Sequence, residues 1–303
     1  MPRRSGWPSP STPLLAGLQA RQEEIVLRGA LTRLWVYGRD DAPCVVFLHG
    51  YRGDHHGLEP IIAHLPALRV VVPDLPGFGR SQPLTTGRHD VAGYARWARD
   101  LLAAVATEHR PVLAGHSFGS IVAAAALAGQ ERPPVRGLVL VNPIARSALR
   151  GRHRLTVRGT VLLHRLAGRL PERAGTWVLR HPVLTRGASI LMVTTPDPGL
   201  RRWIHDEHDR HFSSFADRRT LLDAFDASVS GEVASFAPHV TTPTLLVAGD
   251  RDGVAPPADQ HALVRLFPDA RLVMLPRVGH LTHYEAPDEV ARALVDFVEG
   301  VSG

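Results

Sequence analysis

Apolar residues in this chain come in two rhythms that alternate along its length. Short runs read CVVFLHG from Cys44, RVVVPDL from Arg69, PVLAG from Pro111, RGLVLVNP from Arg136, TPTLLVAGD from Thr242 and ARLVMLP from Ala270. Runs that are apolar at consecutive positions suit strands covered on both faces, the condition of a parallel sheet packed between helices. Between them the helical period recurs, predicting helices over about 91–106, 117–128, 258–267 and 287–299. Ahead of the first run, EEIVLRG and LTRLWVYG are spaced as a hairpin and predict antiparallel edge strands. The expected fold class is therefore α/β, with a mostly parallel, doubly wound sheet.

The rhythm breaks at Pro143. From about 144 to 238 the chain reads as helices with no clear strand, punctuated by Pro171, Pro182, Pro196 and Pro198, and the βα alternation then resumes. We expect a core of 23–143 and 239–303 interrupted by an inserted helical cap, 144–238. Residues 1–22, rich in Pro and Ser, are expected to form a flexible arm. No repeat of solenoid length is present.

Composition adds less than patterning. At 44% hydrophobic and 21% charged residues the chain can bury a full core, which excludes disorder along most of it. A net charge of +6 would normally suggest an anionic partner, but all 35 basic residues are arginine, as a coding bias would also produce. The distribution is more telling: between Ala145 and Arg202 stand 12 arginines against Glu172 and Asp197, a local balance of +10 that leaves −4 elsewhere. Together with the apolar stretches VLLHRL and ASILMV, this suits an acidic amphipathic substrate or an anionic membrane surface holding lipid esters. Long arginines equally solvate an ordinary helix. No nucleic-acid module accompanies them, so no nucleic-acid partner is expected. No apolar run reaches the roughly 18–20 residues that cross a bilayer. The basic start lacks a signal-peptide apolar stretch, so a cytoplasmic location is expected. Cys44, the single cysteine, lies in an apolar run and reads as a buried structural thiol.

The chemistry centres on PVLAGHSFGSIVAAAALAG, where Gly115, Ser117 and Gly119 form G-x-S-x-G between a strand and a helix. Such a five-residue pattern also arises by chance at plain strand-to-helix turns. Here the apolar strand before it and the alanine-rich helix after it match the context in which a tight turn pushes a serine out of the sheet. A serine hydroxyl is a weak nucleophile and needs a base, which in turn needs a partner to orient it. Asp250 and Asp252 follow one later strand, and His280 and His283 follow the next. The chain order Ser, Asp, His, each after its own strand, is that of a hydrolase triad.

Through FLHGYRG, PDLPGFGRS, GHSFGS, AGDRDGVAP and the Gly-His pair, over about 25–299, the sequence resembles the α/β-hydrolase superfamily, of the serine-nucleophile type with a helical cap. The resemblance implies Ser117 as nucleophile, His280 as general base and Asp252 as orienting acid, with the backbone N–H groups of Tyr51 and Phe118 forming the oxyanion hole. The G-D-x-D pattern favours Asp252 over Asp250, and the Gly-His pattern favours His280 over His283, whose alternative is a solvated loop position. In some relatives the acid follows the preceding strand, but here that position is Asn142, which bears no charge. His49 and Gly50 resemble the oxyanion loop, with His49 stabilising it. They join His56 and His116 as candidate substrate-contact positions, although facing water is the favoured reading of His55 and His56.

Serine at position 117 favours an acyl-enzyme from a carboxylic ester or thioester. Epoxide-opening relatives use cap tyrosines, and 144–238 contains none; dehalogenase relatives need an aspartate followed by Trp, where this chain has Ser117-Phe118. The expected activity is a serine esterase acting on a small or lipid-like ester. The rivals are a C–C bond hydrolase or lyase with the same triad, and a small-molecule receptor that keeps the fold without turnover. His205, His208 and His211 step by three, so the outer pair faces directions about 120° apart, which predicts a solvated helix and no metal site. GFGRS follows PDLP and no phosphate-binding loop is present, so no cofactor is expected.

Overall fold

The apolar runs pair into one eight-stranded sheet in a computed structural model of the protein, which describes residues 9, 11–106, 110–129, 132–150, 154–212 and 214–301. Strands β1 (Arg21–Leu27), β2 (Ala30–Tyr37), β3 (Cys44–Leu48), β4 (Arg69–Pro73), β5 (Val112–His116), β6 (Gly137–Val141), β7 (Thr244–Gly249) and β8 (Ala270–Leu275) lie in the order β1-β2-β4-β3-β5-β6-β7-β8. The β1–β2 hairpin and the β2–β4 pair are antiparallel, and every other pairing is parallel. The hairpin turns through Arg28 and Gly29 at φ 50° and 72°, the positive-φ pair that matches strand twist.

Alternation along each strand divides the core in two. Val46 and Leu48 point into one cluster with α3 (Val91–Val105), α4 (Phe118–Leu127) and α10 (Pro257–Val264). Val45 and Phe47 point into the other with α2 (Glu59–Ile62) and α12 (Pro287–Gly300). Burying side chains of this size stabilises by about 1.5–3 kcal/mol each, which is why both faces must be covered.

Among the described residues, five α-helices separate β6 from β7: α5 (Arg154–Arg169), α6 (Glu172–Arg180), α7 (Pro182–Met192), α8 (Pro198–His211) and α9 (Arg218–Ser230). Pro182 and Pro198 occupy first-turn positions, where a missing N–H costs nothing, so they begin helices while interrupting the period. Asp197 and Asp217 cap α8 and α9 by accepting from the amides of Leu200 and Thr220. The insertion reaches the core through an isolated bridge between Phe78 and Phe215.

The expectation of a flexible arm over 1–22 is corrected from Ser11 onward, while 1–8 and 10 lie outside the described residues. Thr12–Gly17 forms α1, and its Leu15 packs against the cluster of Trp203, Ile204, Leu281 and Tyr284. A proline in its first turn presets the helical φ, and Leu15 supplies apolar contact that a frayed arm would lack. The last short helix before α12 is α11 (Thr282–Glu285), which follows His280 directly.

Candidate active site

Ser117 sits between β5 and α4 at φ 51° and ψ −116°, a conformation L-residues avoid and one that costs about 1–3 kcal/mol. The two flanking glycines make that turn possible by close approach. A Cβ on Gly115 would stand 2.3 Å from the carbonyl oxygen of Gly119, and one on Gly119 would stand 2.4 Å from that of Leu48. Any side chain there would push the helix off the sheet. The Ser117 amide donates to the Val141 carbonyl at 3.0 Å, fixing the elbow to the neighbouring strand.

The three residues expected from separate strand ends meet. Ser117 Oγ lies 2.9 Å from His280 Nε2, and His280 Nδ1–H donates to Asp252 Oδ2 at 2.8 Å. Asp252 Oδ1 accepts from the amides of Val254 and Ala255, each at 2.8 Å. The Asn142 amide donates to Asp252 Oδ2 at 3.0 Å. Burial would raise this carboxyl, but His280, the Ala255 amide and Asn142 outweigh it and hold the group below the usual carboxylate range. Asp250 is turned elsewhere and accepts from the Arg277 amide. A hydroxyl bonded to an imidazole whose far side faces a carboxylate can give up its proton as it attacks a carbonyl carbon.

Two supporting residues escaped the sequence reading. Asn142, considered there only as an acid position, has positive φ (45°) and also donates to the Gly279 carbonyl at 3.2 Å, while Thr282 donates to its side-chain oxygen. Glu285 accepts from the amides of Gly279, Thr194 and Thr195 at 3.0, 2.6 and 2.9 Å, tying the His280 loop to the insertion. Nothing in the sequence sets it apart, since the surrounding THYEAPDE is itself polar.

The loop after β3 faces the serine. Phe118 opens α4, so its N–H has no intrahelical acceptor, and Tyr51 borders the same cavity. His49 donates from Nδ1 to the Gly50 carbonyl and accepts the Leu75 amide at Nε2, both at 2.8 Å, so its ring braces the loop with both nitrogens. Gly50 lies against Ser117, a Cβ there being 3.4 Å from that of the serine. Arg52 reaches into the insertion and donates to the carbonyls of Phe212 and Leu179 at 2.9 and 3.0 Å, the last turns of α8 and α6.

Among the remaining histidines, His55, His56 and His283 depart from expectation because packing, not local sequence, decides their surroundings. His55 does not face water: it stacks on Trp35 at 3.6 Å and donates to Asp74. His56 stands outside the cavity lining, paired with Asp54 at 3.0 Å and stacked on His211 at 3.9 Å. His116 and His283 are buried against each other at 4.2 Å, and both border the cavity. Burial pushes the His116 imidazole down to about 3 and that of His283 well below its ordinary value, so both are neutral. The solvated reading of His283 is thereby corrected.

So is that of α8. His208 is fully buried between Ser189, Phe212 and Tyr284, and burial pushes its imidazole down to about 3. His205 and His211 do diverge, as their spacing requires. His211 instead joins Asp54 and His56, whose donor atoms all lie within 4.8 Å of one another, a grouping with metal-ligand chemistry. Its geometry does not suit a shared ion: an imidazole binds in its own plane, and two rings stacked 25° from parallel do not aim at one point. The cluster fits a charged latch between α8 and the core loop.

Between the insertion and the sheet edge lies a cavity of about 470 Å³ that reaches Ser117 and His280. The insertion contributes an apolar lining, with Leu163, Leu184, Leu191, Met192, Phe225 and Val229. Such a mix of apolar wall and a few convergent polar groups is typical of a small-molecule site.

Residues 45–293 match the Alpha/beta hydrolase family. Lipase 3 of Moraxella sp. (strain TA144) is 21% identical over 275 residues, covering 85% of this chain and 78% of that one. A stretch of 83 residues is 37% identical to polyketide synthase ThaQ of Burkholderia thailandensis, spanning 26% of this chain but only 4% of that protein. Among solved structures, a thermophilic esterase from Thermogutta terrifontis superposes with a TM-score of 0.71 at 24% identity, covering 93% of this chain and 99% of that one.

Proposed function

This chain belongs to the Alpha/beta hydrolase family, and from that premise we propose that it is a serine esterase that cleaves a carboxylic ester through an acyl-enzyme. The observation that carries the reading is the continuous hydrogen-bonded line from Ser117 Oγ through His280 to Asp252, opening on an apolar cavity. The similarity to a lipase and to an esterase agrees with it.

In this reading the ester carbonyl enters beside Ser117. Oγ attacks the carbonyl carbon while its proton passes to His280 Nε2, and the Asp252 carboxylate stabilises the imidazolium and holds the tautomer. The carbonyl oxygen becomes an oxyanion next to the N–H groups of Phe118 and Tyr51, where donors set in advance require no reorganisation. Collapse breaks the C–O bond, and the departing alcohol takes the proton from His280. Water then repeats the sequence on the acyl-enzyme, releasing the acid and restoring the serine. His49 holds the oxyanion loop, and the helical insertion serves as a cap whose apolar wall receives the acyl chain.

A fluorophosphonate probe tests the nucleophile, and p-nitrophenyl esters of increasing acyl length test turnover. We expect labelling and hydrolysis in the parent and neither in Ser117→Ala. Labelling that persists in Ser117→Ala overturns the assignment, and labelling without turnover of any ester favours a receptor instead.

A further inference from the structure

The helical insertion leaves an unusual amount of apolar surface in water. Of eleven exposed large apolar side chains among the described residues, seven fall between Leu162 and Leu191, including Trp177 at 66% and Leu191 at 74% exposure. They are arranged, not scattered. At 100° per residue, Arg158, Leu162, Arg165, Leu166 and Arg169 fall within one arc of about 100° on α5. On α7, Val183, Ile190 and Leu191 share an arc of about the same width.

The charge on this face is predominantly of one sign. From 157 to 196 the chain carries six arginines and a single carboxylate, Glu172. Arg158, Arg165, Arg169 and Arg173 are exposed, with no ion pair among the described residues. An aliphatic and tryptophan surface flanked by unpaired arginines is the composition of a helix that lies in a membrane interface. A soluble acidic partner would answer the arginines but leave little use for aliphatic side chains spread over three helices. An anionic bilayer answers both, by charge complementarity and by apolar burial.

The face also adjoins the proposed site. Val183 and Leu191 are exposed to solvent and border the cavity that reaches Ser117, so the apolar patch meets the cavity along one edge. We propose that the α5–α7 face is a docking surface for an anionic lipid bilayer, which seats the cavity mouth on the membrane so that an ester enters from the lipid phase. The choice of substrate rests on the esterase reading; the docking step does not.

The test uses the full chain as Ser117→Ala, mixed with vesicles of phosphatidylcholine alone or with one quarter phosphatidylglycerol, read by co-sedimentation and by tryptophan quenching with brominated lipid. We expect binding to the anionic vesicles only, weakened by salt. Since each basic residue near such a surface contributes about fivefold, Arg165→Gln with Arg169→Gln should weaken binding about 25-fold. Leu166→Asp should also release the protein, and Trp177→Phe should remove part of the quenching. On an otherwise wild-type background, Arg165→Gln with Arg169→Gln should leave hydrolysis of a short, water-soluble ester unchanged.

Equal binding to neutral vesicles, or binding indifferent to the arginine changes, overturns the proposal. So does a dimer that Leu166→Asp dissociates, or capture of an acidic carrier protein with no affinity for vesicles. Vesicle binding by Ser117→Ala beside a parent without esterase activity would sustain the docking surface and defeat the esterase reading; turnover without vesicle binding would do the reverse.

Discussion

Glu285 accepts both the backbone N–H and the hydroxyl of Thr194, at 2.6 and 2.5 Å, so one carboxylate joins the helical insertion to the loop that carries His280. The same carboxylate receives the Gly279 amide at 3.0 Å, one residue before that histidine. Packing makes the joint tight: a Cβ on Gly279 would stand 2.4 Å from the Thr194 methyl carbon.

Removing that carboxylate leaves several donors without an acceptor. Glu285→Ala should destabilise the protein by about 4 kcal/mol or more, at about 1–3 kcal/mol for each of the four donors left unsatisfied, measured by urea unfolding. Glu285→Gln keeps one acceptor oxygen and should recover part of the loss. An unchanged unfolding midpoint in Glu285→Ala would mean that the tie contributes nothing.

The two acids after β7 should separate cleanly. Asp252→Asn turns the partner of His280 Nδ1–H into a group that favours the wrong tautomer, and kcat should fall about 10⁴-fold. Asp250→Asn keeps an oxygen for the Arg277 amide and should retain most activity. The reverse result would transfer the orienting role to Asp250.

The Asp54, His56 and His211 latch makes stability depend on pH. Burial would lower the His56 imidazole, but its bond to Asp54 prevails and raises it. The latch contribution from His56 is therefore fully present below the ordinary histidine value of about 6.5 and is lost as pH rises through the raised value. Burial would raise the Asp54 carboxyl, but His211 and His56 hold it well below the carboxylate range, so its share is present above about 4 and is lost only in stronger acid. Urea midpoints at pH 6 and pH 8.5 should fall with rising pH in the parent and differ less in His56→Ala. Equal pH slopes in the two proteins would exclude the latch.

Cavity depth should set acyl-chain preference. Leu184 and Ser117 line the same cavity, and Leu184→Trp would fill part of it. Exclusion of two methylenes at about 0.8 kcal/mol each should lower kcat/KM about fifteenfold for octanoyl esters while leaving acetate esters nearly unaffected. A uniform loss across the series would place the acyl chain elsewhere.

Much of this was legible in the order of residues. Consecutive apolar positions such as Val45, Val46 and Phe47 identify strands buried on both faces, because no other placement satisfies neighbours of both parities. The G-x-S-x-G turn carries its own sterics, and Asp252 and His280 follow their strands closely enough for position alone to nominate them. What the order could not convey depends on which segments pack together. Nothing local distinguishes the buried His208 from a solvated helix residue, or the Trp35-stacked His55 from one facing water.

The linear pattern thus determined the strands and the elbow and nominated the three residues proposed to react, since these follow from backbone sterics and hydrophobic period over a few residues. Only the tertiary structure decided that Asn142 and Glu285 brace the site, that Arg52 and Asp54 hold the insertion to the core, and that the apolar arc of α5 is left in water. Each of those outcomes is a contact between residues far apart in the chain, and a contact's energy exists only once both partners have been brought to one place.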